Sequence, residues 1–183
     1  MRAVVLAVSC AALNSAIGLS DGKFQYVAGH FPLADTLPAY AIGCYDASVG
    51  RVLLAGTAND VPGGTRFRIW SWSGARWELL TSDGPTTRVS TAIGCNDRTG
   101  DAVVVGGARR SPVNQQYETV SETWQRTLNA WTPSVARDIS ARDHHAIVYD
   151  SDRNALLLSG GIGVSRAAGA VWPDDTWVFA HEG

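Results

Sequence analysis

The sequence predicts an all-β protein built from repeated antiparallel sheets, and three observations predict it. One pattern opens three units about fifty residues apart: Ala41-Ile42-Gly43-Cys44, Ala92-Ile93-Gly94-Cys95 and Ala146-Ile147-Val148-Tyr149. Each opening leads into a short apolar run that ends in glycine: Val52-Leu53-Leu54-Ala55-Gly56, Val103-Val104-Val105-Gly106-Gly107 and Leu156-Leu157-Leu158-Ser159-Gly160-Gly161. A tryptophan follows each run, at Trp70, Trp124 and Trp177. A fixed period of this size marks an architecture in which no unit buries its apolar face alone.

The spacings keep step. Trp70 to Trp124 is 124 − 70 = 54 positions, Trp77 to Trp131 is 131 − 77 = 54, and Arg88 to Arg142 is 142 − 88 = 54. Gly107 to Gly161 is again 161 − 107 = 54, whereas Cys44 to Cys95 is 95 − 44 = 51. The slack falls between the glycines and the tryptophans, where loops absorb insertions.

Each unit reads as four short strands. In the second, Val89 to Cys95 forms the first strand, and Asn96-Asp97-Arg98-Thr99-Gly100 is a tight reversal. Ala102 to Val105, wholly apolar, is the second strand, fit for burial on both faces. Gly106-Gly107 permits close backbone approach or positive φ. A longer loop then reaches a third strand around Thr123-Trp124-Gln125-Arg126, and a fourth begins near Trp131. Helical periodicity is absent beyond the first twenty residues.

Composition narrows the class. The 183 residues fit one domain, 45% of them apolar and 17% charged, which argues against disorder. The net charge of −2 with no basic run gives no electrostatic support to nucleic-acid binding or a polybasic membrane patch. Seven tryptophans against one methionine suit aromatic cross-strand packing. Residues 1–20 read as a secretory signal: Arg2, then the apolar stretch Ala3 to Leu13, then small residues Ser15, Ala16, Gly18 and Ser20. The alternative is a buried first strand. The stretch is too short to span a bilayer, and no other segment could.

These residues resemble kelch-type β-propellers, related to the central domain of galactose oxidase. The third unit carries the resemblance best, through Arg142-Asp143-His144-His145-Ala146-Ile147-Val148-Tyr149-Asp150, Gly160-Gly161 and Asp175-Thr176-Trp177. The second matches through Gly84-Pro85, Arg88, Gly106-Gly107, Thr123-Trp124 and Trp131. The first is degenerate, with Leu37 for the arginine and Ala55-Gly56 for the double glycine, but it keeps Trp70, Trp72 and Trp77. The resemblance covers about residues 24–183 and implies three four-stranded antiparallel blades, at approximately 37–80, 88–133 and 142–183. Residues 24–27 (Phe24-Gln25-Tyr26-Val27) are an orphan outer strand. By the seven-residue step from Trp70 to Trp77, the last blade would need a tryptophan at position 184, so its outer strand is expected to lie outside the sequence. A propeller normally has four to eight blades. Two expectations follow: a segment of a larger propeller, or two copies that associate through open blade edges.

Recurring polar residues read as structural. Asp46, Asp97 and Asp150 follow the first strands and are expected to accept backbone N–H groups in turns. Arg88 and Arg142 are expected to hold neighbouring blades. His144-His145 point to opposite faces as strand neighbours and do not form a metal site. His30 and His181 complete no copper-ligand set with them, so the oxidase chemistry is not carried over. Cys44 and Cys95 could bridge in an exported protein. Equivalent positions on adjacent blades are usually too far apart, however, so two buried free thiols are expected.

No catalytic residues, metal or cofactor are read from the sequence. Specificity is expected in what differs between units, the loops 57–65, 108–121 and 162–174. There Arg109, Arg110, Tyr117, Arg166 and Trp172 are the binding candidates, beside Gln115 and Gln116. The reading is a noncatalytic, exported kelch-repeat scaffold that recognises a protein or a glycan. The alternative is part of a galactose-oxidase-like or sialidase-like enzyme whose catalytic residues lie outside this chain.

Overall fold

A computed structural model describes residues 39–60, 64–81, 84–127, 130–134, 139–165 and 169–180. The signal reading, the strand at 24–27, Leu37 and Arg166 lie outside the described residues. The described chain is all-β and antiparallel. Its strands, in order, are β1 (Ala39–Asp46), β2 (Arg51–Asp60), β3 (Gly64–Trp72), β4 (Trp77–Thr81), β5 (Ala92–Cys95), β6 (Ala102–Val105), β7 (Ala108–Arg110) and β8 (Tyr117–Thr119). Then come β9 (Thr123–Thr127), β10 (Ala130–Ser134), β11 (Arg142–Asp143), β12 (Ala146–Asp150), β13 (Ala155–Ser159), β14 (Ile162–Ser165), β15 (Gly169–Val171) and β16 (Thr176–Ala180).

They form three successive meanders: sheet 1 in the order β1-β2-β3-β4, sheet 2 in the order β5-β6-β9-β10, and sheet 3 in the order β12-β13-β16. Two accessory ribbons are added, β7-β8 and β11-β14-β15. The second and third of the long loops expected from the sequence therefore contain hairpins of their own. Their strands are only three or four residues long, too short for alternation to announce them.

The pairing registers correct the alignment of the units. Asp46 closes the first hairpin opposite Arg51, Asn96 precedes Asp101 across the second turn, and Asp150 faces Ala155 in the third. Units 1 and 2 are thus related by 96 − 46 = 50 positions, and units 2 and 3 by 150 − 96 = 54. The three tryptophans agree: Leu54 faces Trp70, Val104 faces Trp124 and Leu158 faces Trp177. Cys44 therefore corresponds to Gly94, and Cys95 to Tyr45.

That one-residue slip matters because strand side chains alternate between faces. The core lies between sheets. Ile42, Cys44, Leu53, Ala55, Phe67 and Ile69 of sheet 1 pack against Ile93, Cys95, Ala102, Val104, Trp124 and Trp131 of sheet 2. The opposite face of sheet 2, with Val103 and Val105, packs against Ile147, Tyr149, Leu156, Leu158, Trp177 and Phe179 of sheet 3. Each sheet thus has a forward face, turned to the unit that follows, and a back face, turned to the one before. Gly94 is required on the forward face of sheet 2, because a Cβ there would run into Ile147 and Leu156.

Cys44 lies on a forward face and Cys95 on the back face opposite. They are joined in a disulfide with Cα atoms 5.6 Å apart. The expectation of two free thiols is corrected: the residues are not equivalent, and the first strands β1, β5 and β12 are where successive sheets approach each other.

Candidate functional site

Two ends of the sheets can be distinguished. At one end are the hairpin turns, and their polar residues are spent on the backbone. Asp46 accepts from the Ser48 N–H at 3.1 Å, Asn96 from Arg98 at 2.9 Å and Asp150 from Asp152 at 3.0 Å. The turn role expected of Asp97 belongs to Asn96 in the second unit. Asp46 also receives Arg126 of sheet 2 at 3.4 Å, an ion pair across the buried seam.

At the other end the glycine pairs break the second strands. Gly106 and Gly107 have φ of 57° and 95°, and Gly160 and Gly161 have 72° and 99°. Side chains other than glycine are strained in that region. The interruption leaves carbonyls without ladder partners, and a buried arginine collects them. Arg88 donates from Nη1 to the Gly106 carbonyl at 3.0 Å, from Nε to the Thr86 carbonyl at 3.0 Å, and from Nη2 to Glu122 at 2.8 Å. Arg142 repeats the arrangement on the Gly160 carbonyl at 3.2 Å and the Ser140 carbonyl at 3.3 Å, with a bidentate pair to Asp175 at 2.5 and 2.7 Å. Both arginines clamp their own unit rather than the neighbour expected from the sequence. Their backbone carbonyls make the link between units: Arg88 accepts from the Thr57 hydroxyl at 2.5 Å, and Arg142 from the Gly107 N–H at 2.9 Å.

The clamp carboxylates went unrecognised in the sequence, although each stands two positions before a repeating tryptophan, at Glu122 and Asp175. Their chemistry follows from the arginines. The hydrogen bonds from Arg142 hold the Asp175 carboxyl down at about 2. Burial pushes Glu122 up, but the combined pull of Arg88 and Arg109 outweighs it and leaves the carboxyl below its usual range. His145 is buried at the seam of sheets 2 and 3. Burial first, and the Arg142 guanidinium second, push it down to about 4, so it is neutral at pH 7. His144 is exposed and bonds Asp143 at 2.8 Å. His144 has φ 56° between β11 and β12, so the two rings part at a bend and not as the strand neighbours expected from the sequence. Among the described residues, no group of three or more His, Cys, Asp or Glu could hold a metal.

Beyond the glycine pairs the accessory ribbons carry the exposed groups. Arg109, Arg110 and Tyr117 come together on the β7-β8 hairpin, where Arg110 pairs with Tyr117 and Arg109 with Glu118. Arg109 is engaged by Glu118 at 3.2 Å and Glu122 at 2.5 Å, so it braces the hairpin to the clamp. The Arg110 Cζ sits 5.9 Å from the Tyr117 ring centroid, within cation–π range. Val113 at the tip is 91% exposed, and Trp172, just after β15, is 72% exposed. Among the described residues no hydrogen bond or ring contact joins Trp172 to the β7-β8 hairpin.

No family model matches the chain, and no curated protein matches it. Among solved structures, the one described as "Structure of YjhT" aligns with a TM-score of 0.52 at 12% identity, over 69% of this chain and 35% of that one. A chain from "Cryo-EM structure of RAG in complex with one melted RSS and one unmelted RSS" gives 0.50 at 12% identity, over 80% and 52%. A third, "Hypothetical protein from leishmania major", gives 0.47 at 10% identity, over 90% and 53%. The chain therefore spans between about a third and a half of the solved chains it resembles. At such identities the likeness concerns fold alone. The fold is compatible with a β-propeller.

Proposed function

We propose that this chain is a kelch-type propeller segment of three blades, exported, and that it acts as a noncatalytic scaffold recognising a protein or a glycan through its glycine-end rim. One observation carries the reading: the recurring charged residues are absorbed by the clamps, while the ribbons beside them hold exposed aromatic groups, Tyr117 and Trp172. Large rings on a surface gain much from being covered, and arginine and aromatic residues supply the largest losses when binding surfaces are truncated. The Cys44–Cys95 disulfide supports export, since such bonds persist in oxidising compartments.

Pull-down from an extracellular extract and binding to a glycan array, each with Tyr117→Ala and Trp172→Ala, test this reading. Loss of at least tenfold in affinity is expected for the pair, on the order of 1.4 kcal/mol or more. Undiminished binding by the doubly altered protein removes the rim as the site.

A further inference from the structure

Three residues other than glycine take positive φ at one place in the repeat: Tyr40 (55°), Ser90 (53°) and His144 (56°). Their offsets are 90 − 40 = 50 and 144 − 90 = 54, the same as those of the hairpin registers. Each stands at the glycine end of its first strand. The Val89–Ala108 bridge and the Ala92–Val105 pair share one register, which sets Ser90 opposite Gly107. The pairs Arg142–Gly163 and Ala146–Ser159 likewise set His144 opposite Gly161. A Cβ on Gly107 would lie 2.8 Å from the Val89 carbonyl oxygen and 2.9 Å from Thr91 Cβ. One on Gly161 would lie 2.7 Å from the Asp143 carbonyl oxygen and 3.0 Å from His145 Cβ. The glycines thus make room for the bend. In sheet 1, Tyr40 occupies the register shift between Ala39 and Ile42.

The bend itself needs no side chain. Glycine enters this backbone region freely, whereas tyrosine and serine do so at a cost. The chain supplies glycine across the ladder in sheets 2 and 3, yet it keeps a polar side chain at all three bends. The fold does not consume those side chains. Among the described residues, the Tyr40 and Ser90 hydroxyls and His144 Nε2 hold no hydrogen bond. Tyr40 is 65% exposed and the His144 side chain 62%, whereas Thr91 and His145, next in line, are buried. His144 Nδ1 donates to the Asp143 carboxylate at 2.8 Å, which leaves Nε2 of the neutral ring as the free acceptor. The His144 N–H donates to the Ser90 carbonyl at 2.9 Å, so these two bends are adjacent.

We propose that this row of bends binds a neutral saccharide. Ser90 offers a hydroxyl that donates and accepts, and His144 beside it offers an acceptor, a pair suited to neighbouring hydroxyl groups of one sugar. Tyr40 adds an aromatic face for the apolar C–H side of a sugar ring, with a further hydroxyl at its tip. The one charge in the row, on Asp143, is taken up by His144, so a charged ligand gains no counter-ion from these residues. The site is separate from the ribbons that carry Tyr117 and Trp172, and neither depends on the other.

Magnetic resonance of the histidine ring nitrogens in the full chain provides the test. The protein is titrated with methyl galactoside, methyl glucoside, methyl mannoside and oligosaccharides of the same sugars, with glucuronate as the charged control. His144 Nε2 should shift with at least one neutral sugar and not with glucuronate. Ser90→Gly and His144→Asn should each weaken that binding about tenfold, the loss of one hydrogen-bonding group. Their melting temperatures should hold or rise, by about 2 °C at most, because glycine and asparagine are at ease at positive φ. A bend that served the fold alone would lose stability and binding together. Tyr117→Ala with Trp172→Ala should leave the His144 shift in place. No shift with any neutral sugar, a shift that survives both bend substitutions, or a marked fall in melting temperature for both would each overturn the proposal. Glycan binding lost only in the ribbon variant would sink the row and leave the ribbon reading standing.

Discussion

Sheet 1 and sheet 3 flank the same middle sheet, yet each is organised by different means. Sheet 3 has the glycine pair, the buried Arg142 and the Asp175 carboxylate, and its second strand stops at Ser159 so that the chain can form a separate ribbon. In sheet 1 no glycine pair intervenes, so Gly56 and Thr57 remain in the ladder opposite Arg68 and Phe67, and β2 continues to Asp60 as part of one long hairpin. Where the strand is not broken, no carbonyls are released and no guanidinium is needed to collect them. Sheet 1 is instead tied to sheet 2 covalently, through Cys44 and Cys95. The lesson is that the clamp answers the glycine break and is not a general requirement of the unit.

The comparison can be broken from either side. The largest effect is expected from Cys44→Ser with Cys95→Ser, because the bond closes a loop of sequence separation 51. Chain-entropy arguments put the loss at about 4 kcal/mol. Hydrogen exchange should rise in β1 to β4 while β12, β13 and β16 remain protected; uniform loosening would deny the sheets their separate fastenings. Next comes Arg142→Met, which strands the Gly160 carbonyl and the Asp175 carboxylate. Because Asp175 is partly solvated, the loss should be about 3 kcal/mol rather than that of a fully buried pair. Here exchange should rise first in β13 to β16, and Asp175 should titrate higher than its value of about 2.

Acid should loosen the seam of sheets 2 and 3 through His145. Its value is about 4 when folded against an ordinary 6.5, so the unfolded chain binds the extra proton between those limits. Stability from this residue is complete above pH 6.5 and declines as pH falls toward 4, by up to about 3 kcal/mol. Denaturant midpoints measured across that window should flatten in His145→Gln; an unchanged slope would assign the decline to other groups. The smallest effect separates two glycines of one pair. Both Gly160 and Gly161 have positive φ, but a Cβ at Gly160 meets nothing within 4 Å whereas one at Gly161 lies 2.7 Å from the Asp143 carbonyl. Gly161→Ala should therefore cost about 2 kcal/mol more than Gly160→Ala, read from melting curves. Equal costs would mean the backbone there yields freely.

The period, the four-strand reading of the first two units and the special use of Gly106-Gly107 were legible in the residues, because apolar runs and tryptophan spacing report burial directly. The pairing of Arg88 with Glu122 and of Arg142 with Asp175 was within reach of the same repeat but hidden by the 34- and 33-residue gaps between partners. The candidates Arg109, Arg110 and Tyr117 do share one hairpin, though Arg109 proves to be a brace.

By itself the sequence determined that this is a β protein of repeated sheets, since short apolar runs, recurrent glycine and tryptophan spacing are local properties of the chain. Only the tertiary structure decided that Cys44 meets Cys95. An offset of 50 rather than 51 turns the two thiols to opposite faces of their own sheets and hence toward each other, and register is settled by pairing between strands, not by any residue alone.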